Sequence, residues 1–140
     1  MAKKPTASGQ LLTALSTMLS TTFTLTQADF DAFARLSGDD NPIHVDPAFA
    51  ARTRFGRTVS HGMLLYSVLC GFLNQQFPGA IQVSQSFTFR APTYADEPST
   101  LQVTVLEQLP DNQVRLGVVM ARLDGTVTVE GETVVKSTED

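Results

Sequence analysis

The sequence contains a single cysteine, Cys70, among 140 residues. That excludes an internal disulfide and any zinc site built on several thiolates. Basic charge is also scarce: 10 Lys and Arg stand against 14 Asp and Glu, a formal net charge of -4. Such a balance gives no electrostatic reason to bind nucleic acid or an anionic membrane. An anionic ligand would need a local cluster of Arg and Lys. No run of about 18 apolar residues argues for a membrane-spanning helix. There is no internal repeat and no low-complexity linker, and the length suits one domain with a real core rather than two ordinary ones.

At the N-terminus Lys3 and Lys4 precede LLTALSTML, which superficially resembles a signal peptide. Pro5, Gly9 and interspersed Ser and Thr break up the apolar content, and no A-x-A site follows. Residues 1–18 are expected to form a loose leader and residues 19–140 a single domain, in a cytoplasmic protein.

A short strand is expected near Ser20 to Leu25. TQADFDAFARL, from Thr26 to Leu36, has the marks of an amphipathic helix: Thr26 as N-cap, Asp29 in the first turn, Gly38 as a stop, and Phe30, Phe33 and Ala34 on one face. A loop, GDDNP, follows, and Asp46-Pro47 starts another helical turn. The longest apolar element is GMLLYSVLCGFLNQQF, Gly62 to Phe77, apolar around almost its whole circumference and therefore expected to be a buried helix. Pro78-Gly79 ends it.

The period then changes to that of strands. Val83 to Ala91, Leu101 to Glu107, Val114 to Ala121 and Thr126 to Lys136 are rich in Val, Thr and Phe, with turn-forming residues between them. Short connections argue for an antiparallel sheet. An antiparallel sheet wrapped around one long central helix is the hot-dog fold, an α+β arrangement. One helix cannot cover such a sheet completely, so a second copy of the chain, in a homodimer, is the expected partner.

The chemistry concentrates in two places, and each holds one of the two histidines. SGDDNPIH, Ser37 to His44, sets Asp39, Asp40 and Asn41 before Pro42, whose ring fixes its own φ and restricts Asn41. The segment reads either as a turn capped by polar side chains or as an acid–base pair, His44 and a carboxylate sharing one water molecule. RTVSHGMLL, Arg57 to Leu65, puts His61-Gly62 at the start of the apolar helix. Free N–H groups there can receive a developing oxyanion, and glycine admits close approach. Equally, Ser60 is a candidate N-cap and Gly62 a packing residue.

Taken together, SGDDNPIHVDPAFA and RFGRTVSHGMLL resemble the MaoC-like family of (R)-specific enoyl-CoA hydratases. Its D-x-N-P-x-H pattern stands as Asp39 to His44, its H-G-M pattern as His61 to Met63, and the likeness runs roughly from Ser20 to Lys136. The resemblance implies a hot-dog homodimer acting on an acyl-CoA substrate. Asp39 and His44 would activate the water that adds across a trans-2-enoyl-CoA double bond, giving an (R)-3-hydroxyacyl-CoA. Asn41 would steady the loop and the water, and the Gly62 N–H would receive the thioester oxygen. Asp40 takes the variable position of the pattern. No metal, nicotinamide or flavin is implied.

Cys70 stands where some members carry a serine on the central helix. Either Cys70 or Ser67, about 300° earlier on the helix, could touch the ligand, and a buried thiol is not expected to act as a nucleophile. Arg90, in FTFRAP, is the first candidate for the CoA phosphates, with Arg54 and Arg57 behind it. Tyr66, Phe72 and Leu73 are bulky enough to shorten an acyl tunnel. The same site would also serve a dehydratase of carrier-protein thioesters or of branched or dicarboxylic acyl-CoA. A hot-dog thioesterase fits the Asp–Asn–His loop less well, and a non-catalytic acyl-CoA-binding subunit would not need both Asp39 and His44.

Overall fold

The computed structural model describes residues 18–137. The expected leader therefore lies almost wholly outside the described residues. Within them the order is β1 (Leu19–Phe23), α1 (Gln27–Ser37), α2 (Pro42–Val45), α3 (Pro47–Ala51), α4 (Gly62–Gln76), β2 (Ile81–Phe89), β3 (Ser99–Leu109), β4 (Gln113–Arg122) and β5 (Val127–Lys136).

Helix α1 begins with a reciprocal cap. The Asp29 N–H donates to the Thr26 hydroxyl at 3.1 Å, and the Thr26 N–H donates to the Asp29 carboxylate at 2.8 Å. It ends where Gly38 takes φ 82°, a left-handed conformation that closes a helix without penalty only for glycine. Beyond Gly38 the segment expected to be a loop is partly helical. Asn41 accepts from the Ile43 N–H at 3.1 Å, and Pro42 occupies the first helical position, where no N–H is needed. The residues that stiffen the segment are the ones that nucleate α2.

All four strand pairings in the sheet are antiparallel, and the spatial order is β1-β3-β4-β5-β2. Strand β2 pairs with β5 rather than with β3, so the chain between Arg90 and Pro98 crosses from one side of the sheet to the other. In β3 and β4 side chains alternate between core and surface, and the register sets Leu101 opposite Met120 and Val103 opposite Val118. These residues form one core with Leu65, Leu69, Phe72 and Leu73 of α4 and Phe30 of α1. Complete burial of each such side chain is worth about 1.5–3 kcal/mol.

The hot-dog arrangement is thus present, with one difference. Helix α4 is not enclosed on every side. Leu65, Leu69, Phe72 and Leu73 are buried, whereas Met63 is 60 % exposed, and Ser67, Gly71 and Asn74 also lie open. The sheet of a single chain covers only one side of the helix.

Candidate active site

Two segments remote in sequence meet in front of α4. The Val59 N–H donates to the Ile43 carbonyl at 3.0 Å, and the Ser60 N–H donates to the Thr93 carbonyl at 2.8 Å. These bonds tie the strand-like lead into α4 both to α2 and to the crossing segment after β2.

His44 is 8 % exposed. Its Nδ1 lies 2.7 Å from the Val59 carbonyl. A carbonyl only accepts, so Nδ1 carries the proton and, in the neutral ring, Nε2 keeps its lone pair. That Nε2 stands 3.9 Å from Asp39 Oδ2, and the Asp39 side chain is 58 % exposed. The gap is too long for a direct hydrogen bond, but one oxygen atom can bridge it with a bond to each group. An accepting nitrogen and an exposed carboxylate therefore converge on one point. Asp40 is exposed, and its N–H donates to the Gly38 carbonyl.

Two residues that the sequence did not mark for their side chains hold the pair. Gln27 donates to the His44 carbonyl at 2.8 Å and accepts from the Thr58 hydroxyl at 2.6 Å, joining α1, α2 and the lead into α4. His61 Nε2–H donates to the Asp39 carbonyl at 2.8 Å, and its ring stacks on that of His44 at 3.8 Å. Gln27 also donates to Asp31 one turn on, but its partners in the site are 17 and 31 residues away, which no local pattern reveals.

Gly62 opens α4. His61 occupies the cap position without making a side-chain cap. Ser60 is not the cap either, because its hydroxyl donates to the His61 carbonyl at 2.9 Å. Among the described residues no side chain caps the N–H groups of the first turn, and they lie at the positive end of the helix dipole. A Cβ on Gly62 would lie 2.9 Å from the tip of Phe89, so glycine is what keeps this approach open.

A cavity of about 640 Å³ opens beside Gly62, with Val59, Ser60, Phe89, Tyr94, Arg54 and Arg90 among its walls. Arg90 is thus brought to Gly62, with its guanidinium ion-paired to Glu130. Arg54 shares the wall, whereas Arg57 pairs with Glu97 at 3.2 Å and lies over the Tyr94 ring. Asp39 and His44 are not part of this wall. They adjoin it through the segment from Val59 to Gly62.

Cys70 is elsewhere. Eight residues beyond Gly62, about 12 Å along the helix axis, its thiol donates to Gln82 Oε1 at 3.2 Å, beside the Tyr66 hydroxyl, which donates to the same oxygen at 3.0 Å. Burial, followed by Cys70, pushes the Tyr66 phenol up to about 12. Cys70 and Leu73 line a separate depression of about 190 Å³. Ser67 is exposed and donates to the Leu64 carbonyl, so it does not reach the Gly62 cavity either. Phe72 lies in the core.

Asp39, His44 and His61 each offer a donor atom within 4.8 Å of the others, the one such grouping among the described residues. The two imidazoles are nearly parallel, 23° apart. Stacking of this kind sets their in-plane lone pairs side by side rather than on a common point.

A five-stranded antiparallel sheet laid on one long helix, with a carboxylate and an imidazole set close together near the start of that helix, defines a hot-dog domain with a candidate site at that point. The chain belongs to the family of MaoC-like domains, whose model matches residues 13–128. It is 43% identical over 112 residues to an (R)-specific enoyl-CoA hydratase of Aeromonas caviae, covering 78% of this chain and 84% of that one. It is 32% identical over 114 residues to a 3-hydroxybutyryl-CoA dehydratase of Methylorubrum extorquens, covering 80% and 73%. Among solved structures, an (R)-hydratase from Aeromonas caviae involved in PHA biosynthesis superposes with a TM-score of 0.81 at 38% identity, covering 86% of this chain and 93% of that one.

Proposed function

We propose that this protein is a hydro-lyase that reversibly hydrates trans-2-enoyl-CoA to (R)-3-hydroxyacyl-CoA. The observation that carries the proposal is the placement of the His44 Nε2 lone pair 3.9 Å from the Asp39 carboxylate, in a chain so similar to a hydratase of that specificity. One water held between the two groups loses a proton to His44 while Asp39 accepts a hydrogen bond from its other O–H. The water oxygen forms the bond to the β-carbon. The π electrons move to the α-carbon and thioester, and the resulting enolate oxygen accepts from the Gly62 N–H. A proton returned to the α-carbon from the same pair completes a syn addition. The thioester itself makes the α-carbon acidic, so the step as written requires no metal, nicotinamide or flavin.

Asn41, whose side chain caps α2, steadies the pair. Arg90 and Arg54 suit the CoA phosphates at the cavity mouth. Cys70 is the more remote member of the proposed ligand-binding set. It would contact an acyl chain that runs along α4 away from Gly62. A CoA substrate favours the cytoplasm. No nucleic-acid or membrane partner is proposed, and no helix among the described residues is long and apolar enough to cross a membrane.

The test is incubation with crotonyl-CoA. Loss of the enoyl absorbance with formation of the (R)-3-hydroxy product is expected, and in deuterated water both new bonds should lie on one face. An (S) product or no hydration overturns the assignment, and release of free thiol points to a thioesterase. Carrier-protein thioesters assayed in parallel distinguish the carrier-protein dehydratase reading, and the reverse reaction on 3-hydroxybutyryl-CoA tests the activity for which the Methylorubrum extorquens relative is named.

We also infer a homodimer. Strand β2 is an edge with Ile81, Val83 and Phe89 about half exposed, and the open side of α4 presents Met63. An unpaired apolar edge is a surface that native proteins pair or protect. Light scattering is expected to give twice the chain mass at micromolar concentration, and a stable monomer there refutes the inference.

A further inference from the structure

We propose that His61 is a positioning residue that couples the Asp39–His44 pair to the helix start receiving the thioester oxygen. The proposal deepens the hydratase reading and rests on it.

Helix caps favour Ser, Thr, Asp and Asn because their side-chain oxygens accept the first N–H groups. His61 occupies the cap of α4 and makes no such bond. Its ring turns toward the preceding segments instead and is 2 % exposed. There it makes contacts of three kinds: Nε2–H donates to the Asp39 carbonyl, one face stacks on His44 at 3.8 Å, and Phe33 packs at a tilt with a centroid separation of 4.8 Å. The remaining nitrogen, Nδ1, is buried without a partner among the described residues. A buried polar atom left unpaired is destabilising. An apolar ring would fill the same space without that cost, so packing alone does not account for histidine here.

Position in the chain supplies the rest. The residue after His61 is Gly62, and the His61 carbonyl accepts from the Leu65 N–H in the first turn of α4. One rigid ring therefore links the backbone of the carboxylate residue, the plane of the base and the N–H that meets the oxyanion. The ionisable groups facing it are Asp39, from the α1–α2 connection, and His44, from α2. Helix α1 presents only the uncharged Phe33. Displacing a reacting group by about 1 Å costs on the order of a hundredfold in rate, so a residue that sets all three positions acts on turnover without touching substrate.

The experiment compares His61→Phe, which keeps the ring and removes the tether, with His61→Gln, which keeps an N–H donor and removes the stack. Both are made in the natural protein and in a His44→Gln background. Each single change is expected to lower kcat roughly tenfold to a hundredfold and leave KM within about twofold. The thermal midpoint of His61→Phe should not fall. In the His44→Gln background the added loss should shrink to about twofold or less, because residues serving one step are not additive. Full turnover in both variants overturns the proposal, as does an equal loss in both backgrounds, which would mark a structural role. A second readout does not depend on activity. The ring-proton resonances of His44 should carry a ring-current shift from His61 that survives in His61→Phe and disappears in His61→Gln. No change in His61→Gln refutes the positioning role even in an active enzyme. A protein that hydrates no enoyl thioester yet shows this shift loses the proposed function and keeps the coupled geometry.

Discussion

Replacing Asp39 by asparagine or His44 by glutamine is expected to reduce hydration of crotonyl-CoA by about 10²–10⁴-fold each, the range for loss of a positioned acid–base group. The reason is geometric. His44 Nδ1–H is committed to the Val59 carbonyl, so only Nε2 can take a proton, and it does so opposite the Asp39 carboxylate. Glutamine offers no basic nitrogen, and asparagine turns one accepting oxygen into a donor. The double variant should be little slower than the slower single one, because in the proposed mechanism both groups act on the same water. Asp40→Ala is the control: Asp40 adjoins Asp39 in sequence but is exposed, and its removal should leave turnover within about twofold. Steady-state kinetics on folded variants decide the matter. Strictly additive losses, or an active single variant, would remove the pair from the mechanism.

The largest loss of stability is expected at a site with no catalytic role. A Cβ placed on Gly131 in β5 would lie 2.0 Å from the Ser86 carbonyl oxygen and 2.8 Å from the Phe87 Cα. Both are backbone atoms of the paired strand, so no rotamer change can relieve the overlap. Strand β2 would have to move away from β5. Gly131→Ala should cost about 3 kcal/mol or more, which corresponds to a drop in thermal midpoint on the order of 10 °C. Gly117→Ala is the comparison. Its Cβ meets only the Leu106 side chain, at 3.2 Å, and that half-exposed leucine can swing aside, so its midpoint should hardly change. Equal midpoints for the two variants would contradict the close approach of β2 to β5. Because β2 carries Phe89, which faces Gly62, the same variant should also disturb the cavity.

Local chemistry was legible from sequence wherever cause and effect lie within a few residues. The Thr26 and Asp29 cap, the Gly38 stop and the Asp46 cap were all visible because a cap and the N–H it satisfies are near neighbours in the chain. Strand periodicity in β3 and β4 was readable for a similar reason, since alternation reports which face is buried. The motif from Asp39 to His44 likewise marked itself as a candidate site, because Pro42 and Asn41 constrain the residues around them. The helical turn α2 was missed within that motif, where the same proline and asparagine serve a helix start as readily as a loop.

Pairings across the chain were decided by the tertiary structure alone. Strand β2 joins β5, and no local pattern specifies an edge partner some 50 residues away. Hydrophobicity all around α4 indicated burial on every side, but the sheet of one chain covers only one side and leaves Met63 exposed. The site divides in the same way. The sequence by itself singled out the candidates for carrying a proton or a free N–H: Asp39, His44 and Gly62. Only the fold decided that His44 keeps its lone pair on Nε2, that Gln27 and His61 hold the pair in place, that Arg90 shares a cavity with Gly62, and that Cys70 does not. Those relations depend on side-chain directions and on hydrogen bonds spanning tens of residues, which exist only once the sheet has brought their partners together.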